Sequence, residues 1–265
     1  MDNSANPTME PDHWEIGAAA LSVEDTFGTK LLPFVLSITA GSVDVISFLG
    51  LGGLFTAHIT GNLVILAAKL VAGEQSPVSY LISVPVFMAV LALTRLLAAG
   101  LERLKIASLV PLLLIQFLLL AAFFALCRSA GPRLDPNTTI MILAGMLGVS
   151  AMAVQNGLAR ISLRGAPATA VMTTNITLFT IDVGQVLLGG NASSTVRARE
   201  RARNTWPAIV GFLLGCALGA ACEAAFGLHS LVLPAAFGLL AVALGLTGTL
   251  HHRRCRTCAR EGRSA

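Results

Sequence analysis

The chain has 265 residues, 55% of them hydrophobic and only 12% charged, with a formal net charge of +4 and a mean hydropathy of +0.76. A soluble domain carries about a quarter charged residues, so this composition excludes a water-soluble globule and points to a polytopic membrane protein. The positive balance does not imply nucleic acid, because the arginines fall in short clusters between apolar runs and at the C-terminus, with no aromatic platform beside them.

In chain order, residues 1–30 form an acidic leader carrying Asp2, Glu10, Asp12, Glu15, Glu24 and Asp25. It lacks the basic start and apolar stretch of a secretory signal. The membrane domain then runs over 31–250 and a basic tail over 251–265. A spanning helix needs about 20 apolar residues. Eight segments qualify, at 31–52, 54–72, 78–100, 108–127, 138–160, 168–189, 206–226 and 229–250. None alternates like a barrel strand, so the expected fold is all-α. The second and sixth segments carry polar residues, and six full crossings remain if these two are broken or re-entrant. With eight spans, thirteen basic residues share the side of both termini against five on the other. That bias places both termini in the cytoplasm.

The segment from Ala40 to Leu70 puts Asp44, Thr60, Gly61 and Asn62 inside apolar runs. An acid and an amide at membrane depth mark a pathway or binding site by default. Thr173, Thr174 and Asn175 form a degenerate second copy, preceded by Gln155 and Asn156. Aligning Asn62 with Asn175 gives two four-helix repeats, 31–127 and 138–250, expected to be parallel because each has an even number of spans. Counting from the expected turns, Asp44 and Asn62 each lie about 12 Å below the outer boundary. The polar groups of both halves are therefore expected in one layer. Lys69 and Asp182 align near the cytoplasmic end and suggest an inner gate. His58 reads as a solvated turn residue, and Gln116 and Gln185 as ordinary interhelical hydrogen-bond formers. Gly211, Gly215 and Gly219 make a small-residue ladder for close packing, within the chain or across a homodimer.

With these residues in view, the chain resembles the YoaK-like family of bacterial integral membrane proteins, whose function is uncharacterised. The resemblance covers most of Leu31 to Leu250. It rests on Ala40-Gly41-Ser42-Val43-Asp44, on Phe55-Thr56-Ala57-His58-Ile59-Thr60-Gly61-Asn62, and on Met152-Ala153-Val154-Gln155-Asn156 followed by Thr173-Thr174-Asn175. In the family the second triplet is usually Thr-Gly-Asn, so Thr174 stands where a glycine is usual. The resemblance implies a bacterial inner-membrane protein and supplies no substrate.

No phosphate-cradling loop, paired-histidine zinc helix or nucleophile elbow occurs in the sequence. An enzyme is not expected, nor is a cofactor. His251, His252, Cys255 and Cys258 have only a loose likeness to a zinc knuckle, and no resident metal is expected. The leading expectation is a secondary transporter or permease for a small solute, proton-coupled through Asp44. The alternative is a structural or regulatory membrane component that binds a partner through the basic tail.

Overall fold

The computed structural model describes the backbone of residues 27–73, 78–129, 138–163, 165–189 and 191–261, and the side chains of those between 31 and 248. Residues 1–26 of the leader, and the side chains of His251, His252, Cys255 and Cys258, lie outside the described residues. The elements are α1 (Phe27–Gly50), α2 (Ile59–Ala72), α3 (Val78–Arg103), α4 (Leu109–Ser129), α5 (Thr139–Ile161), α6 (Met172–Leu188), α7 (Ala192–Phe226) and α8 (Val232–Glu261), with a 3-10 turn at Gly227–Leu231. Among the described residues the fold is therefore all-α, as the hydropathy pattern requires.

Five stretches are long and apolar enough to cross a membrane: Leu31–Gly50, Val78–Arg103, Leu109–Ser129, Thr139–Ile161 and Ala192–Gly248, the last taking in α7 and the start of α8. The second and sixth expected spans are each truncated at their N-terminal end. α2 has 14 residues and α6 has 17, so they reach about 21 and 26 Å at 1.5 Å per residue. Each is preceded by a non-helical run, residues 51–58 for α2 and, among the described residues of 162–171, residues 162–163 and 165–171 for α6. Gly52 and Gly53 both have positive φ (67° and 97°), which breaks α1 from α2.

The polar connection expected at Asn191–Asn204 is instead the first half of the 35-residue α7. Ala198, Ala202 and Thr205 are buried on this stretch while Arg197, Arg199, Arg201 and Arg203 are exposed. Positions i, i+4 and i+7 share a helix face, so a thin stripe of small residues lets this arginine-rich stretch pack on α6.

Contacts fix the direction of each helix. Gly211, Gly215 and Gly219 of α7 meet Phe34, Ile38 and Ser42 of α1 in turn, so these two helices run parallel. A Cβ at Gly211 would lie 2.8 Å from the Phe34 carbonyl oxygen, and one at Gly219 would lie 2.9 Å from Ser42. The glycine ladder thus serves the interior of one chain, bringing two backbones together where any side chain would hold them apart. α5 runs the other way from α1. Gln155 reaches the carbonyl of Leu36 at 2.9 Å, whereas Gly148, seven residues earlier, packs on Thr56, whose N–H is bound by Asp44. α4 opposes α8, since Gly238 meets Leu120 and Gly245 meets Leu113. α1 packs chiefly on α7 and α8, α5 packs chiefly on α4 and α3, and α4 also lies against α8.

The dry core between these helices includes Leu36, Ile46, Leu54, Phe123, Met152 and Leu158, all fully buried. The outer faces of α2 and α3 expose Leu63, Val64, Val71, Leu81 and Met88. That is the surface a lipid-facing helix presents.

Candidate functional site

The run 51–58 doubles back along the end of α1, and its backbone is bound by side chains instead of by a helix. Asp44 Oδ1 accepts the N–H groups of Thr56 at 2.8 Å and Ala57 at 2.7 Å. Its Oδ2 lies 2.6 Å from His58 Nδ1. Asn62 completes the grip: its Oδ1 accepts the N–H of Phe55 at 2.8 Å, and its Nδ2 donates to the Phe55 carbonyl at 2.8 Å. Nδ2 also donates to Ser83 Oγ on α3 at 3.0 Å. Tyr80 donates to the Gly52 carbonyl. Non-helical backbone at membrane depth persists only where protein satisfies its polar groups, and Asp44 and Asn62 do that here.

Gly61 has a separate task. A Cβ there would sit 2.9 Å from the Phe55 ring, which stacks on Phe48 with centroids 4.6 Å apart. Thr60, by contrast, is exposed. Of the expected triplet, only Asn62 faces inward as a hydrogen-bonding group.

The run 162–171 repeats the arrangement with different residues. Asn175 Nδ2 donates to the Ala168 carbonyl at 2.6 Å, and both this bond and that from Asn62 to Phe55 reach back seven residues. Gln155 donates through Nε2 to Thr169 Oγ1 at 3.0 Å and to the Leu36 carbonyl, and accepts from Gln116 Nε2 at 2.6 Å. Because both Nε2 protons of Gln155 are engaged, its oxygen must face Gln116, which leaves Gln116 Oε1 without a partner. Thr173 and Thr174 are exposed. Asn156 is half-buried and bonds only its own helix, at the Met152 carbonyl.

The polar residues form two clusters. Asp44 and Asn62 sit at the level of Gly148, whereas Gln155 sits at that of Leu36, eight residues along α1 from Asp44 and hence about 12 Å away. The single layer expected from the sequence assumed that α2 begins near Leu54 and that α5 runs parallel to α1. Neither condition holds. An apolar groove of about 410 Å³, lined by Val90, Leu93, Thr94, Ile115 and Val154 among others, touches none of these polar residues.

Asp182 is paired, but with Arg201 of α7. The guanidinium donates from Nη2 to Oδ1 at 2.5 Å and from Nε to the same carboxylate at 3.1 Å. Asp182 is buried while Arg201 is largely exposed, so the pair pins α6 to the arginine-rich half of α7. Lys69 lies in the last turn of α2.

Three contributors lie outside the polar pattern of the sequence. The late start of α2 brings His58 from the expected outer turn down to Asp44. Thr56 and Thr169 fall inside the expected spans 54–72 and 168–189. The signal that finds them is the spacing itself: Thr56 precedes Asn62 by six residues and Thr169 precedes Asn175 by six.

No curated protein and no solved structure matches the chain. A family model does, over residues 32–244, which takes in both non-helical runs and every residue of the two clusters. The chain belongs to the DUF1275 family of proteins of unknown function, the YoaK-like family of uncharacterised membrane proteins.

Proposed function

We propose that this protein is a secondary transporter for a small solute, built from two inverted halves of three crossings and one re-entrant hairpin each. α1, α3 and α4 are the crossings of the first half, and α5, α7 and α8 those of the second. α2 and α6 enter as short helices and leave on the side they came from. The carrying observation is the pair of non-helical runs at membrane depth, each closed by a buried asparagine seven residues on. Discontinuous helices of this kind, in inverted repeats, are where transporters bind substrate and coupling ions.

The two asparagines stand 113 residues apart, and two further observations support the inversion of the halves so registered. The packing is exchanged between halves, α1 lying on α7 and α8 as α5 lies on α3 and α4. An odd number of crossings per half reverses the second, in keeping with the opposed directions of α1 and α5. Six crossings also sharpen the charge asymmetry. Of the eighteen Lys and Arg, only Lys69, Arg128 and Arg133 then fall on the side away from the termini. Eight crossings would leave five there. The positive-inside rule therefore favours both termini in the cytoplasm, and the bacterial inner membrane is the location we propose with it.

Asp44 is the coupling group in this reading, because the other buried acid among the described residues, Asp182, is neutralised by Arg201. The test is solute-evoked charge movement in liposomes holding the purified protein, with a solute panel and an imposed pH gradient. Current with the native chain and none with Asp44→Asn supports the reading. Silence of the native chain across the panel counts against it. Loss of cellular function on deleting 251–265, with Asp44→Asn intact, would favour the partner-binding alternative.

A further inference from the structure

The two hairpins are alike in backbone and unlike in proton chemistry. Thr169 of the second is held by Gln155, an amide with no proton to exchange, and Val171 stands 113 residues after His58. The first hairpin is held by a carboxylate and an imidazole 2.6 Å apart. The imidazole is 40% exposed and the carboxylate 4%, so His58 is the outward end of the pair. The rings of Phe55 and Phe212 pack edge-on against the imidazole, with centroids 5.9 and 5.7 Å away. From α7, Cys216 lies within electrostatic range of Asp44, while Ser47 and Thr56 add uncharged hydroxyls.

We infer that Asp44 and His58 form a proton-binding site that, among the described residues, is present in the first hairpin only and couples protons to that hairpin. Its use in transport rests on the function proposed above; the binding of the proton does not. His58 donates Nδ1–H to Asp44 Oδ2 in both states, and the exchanging proton sits on Nε2. With it, the pair is an imidazolium beside a carboxylate and carries no net charge. Without it, the pair carries one negative charge, held by the two backbone N–H groups of Thr56 and Ala57. A net charge inside a membrane protein is costly, so loss of the proton favours movement of the hairpin towards water. The second hairpin has no such response.

Asp44→Asn tests this with little disturbance of shape. The asparagine oxygen can still accept from Thr56 and Ala57, but its Nδ2 then faces His58 Nδ1 and makes that nitrogen an acceptor, which disfavours the imidazolium. Histidine-selective ¹⁵N NMR of the full-length protein in nanodiscs follows the titration, with His58→Gln identifying the signals. Asp44→Asn is expected to lower the proton affinity of His58 at least tenfold, a fall of about one pH unit or more in midpoint. Asp44→Glu is expected to restore most of it. An unchanged midpoint in Asp44→Asn, or a His58 that never titrates in the native chain, overturns the site. The measurement needs no solute. A shifted midpoint with no flux in liposomes keeps the proton site and removes the transport reading, whereas flux with an unshifted midpoint removes the proton site alone.

Discussion

At the residue scale, Asn62 does more than its place in a Thr-Gly-Asn triplet suggests. It occupies both polar groups of the half-buried Phe55, so Asn62→Ala leaves an N–H and a C=O unpaired. At the low end of about 1–3 kcal/mol for each orphaned group, the expected loss is about 2 kcal/mol, read from unfolding of the purified protein in mixed micelles. Asn175→Ala removes one backbone bond and should cost about half as much. The two halves also explain the mismatch between their triplets. Gly61 clears the ring of Phe55, while Ala168 has no ring to clear and the residue in Gly61's place is Thr174. Gly61→Thr should therefore destabilise the protein, and adding Phe55→Ala should recover much of the loss. A double-mutant cycle with no coupling between the two changes would refute this. The sequence makes Asp44, Asn62 and Asn175 legible because polar groups in apolar runs stand out. It does not make His58 legible, because its importance comes from where α2 starts, a choice made by the bonds that the Thr56 and Ala57 N–H groups give to Asp44.

At the element scale, the α1–α7 contact is the one least tolerant of change. A Cβ at Gly215 would meet the backbone of Ile38, and backbone cannot give way as a side-chain tip can. Gly215→Leu is expected to abolish the folded form in detergent, whereas Gly184→Ala, where an added Cβ meets nothing within 4 Å, should stabilise α6 by up to about 1 kcal/mol. Equal effects at the two positions would contradict the packing described. Hydropathy found the apolar cores of all eight helices but misjudged α2, α6 and α7. A window of about 20 residues cannot distinguish a continuous helix from an extended run followed by a short one, since both are apolar. Nor does hydropathy detect the first half of α7, where small residues at Ala198, Ala202 and Thr205 make the contact and exposed arginines dominate the average.

At the scale of the whole molecule, the recurrence of a motif was visible in the sequence but its sense was not. Direction depends on the parity of the crossings, and parity turns on whether α2 and α6 traverse or return. Side-chain contacts supply what the sequence lacks: α7 keeps step with α1 while α5 runs against it. Two polar clusters at different depths follow from that reversal, with an ionisable pair in the first and amides in the second. In the transport reading proposed above, each hairpin is anchored by side chains to neighbouring helices and opens to its own side, which gives alternating access a basis.

The most direct test of this architecture is the sidedness of α2 and α6. Single cysteines at Val71 and Leu187, in a background where the native cysteines are replaced, are labelled in oriented vesicles with a membrane-impermeant maleimide. Inverted halves predict reaction from opposite faces, Val71 from the face away from the basic termini and Leu187 from the face that carries them. Labelling of both positions from one face would contradict the inversion and restore two parallel halves of four crossings each.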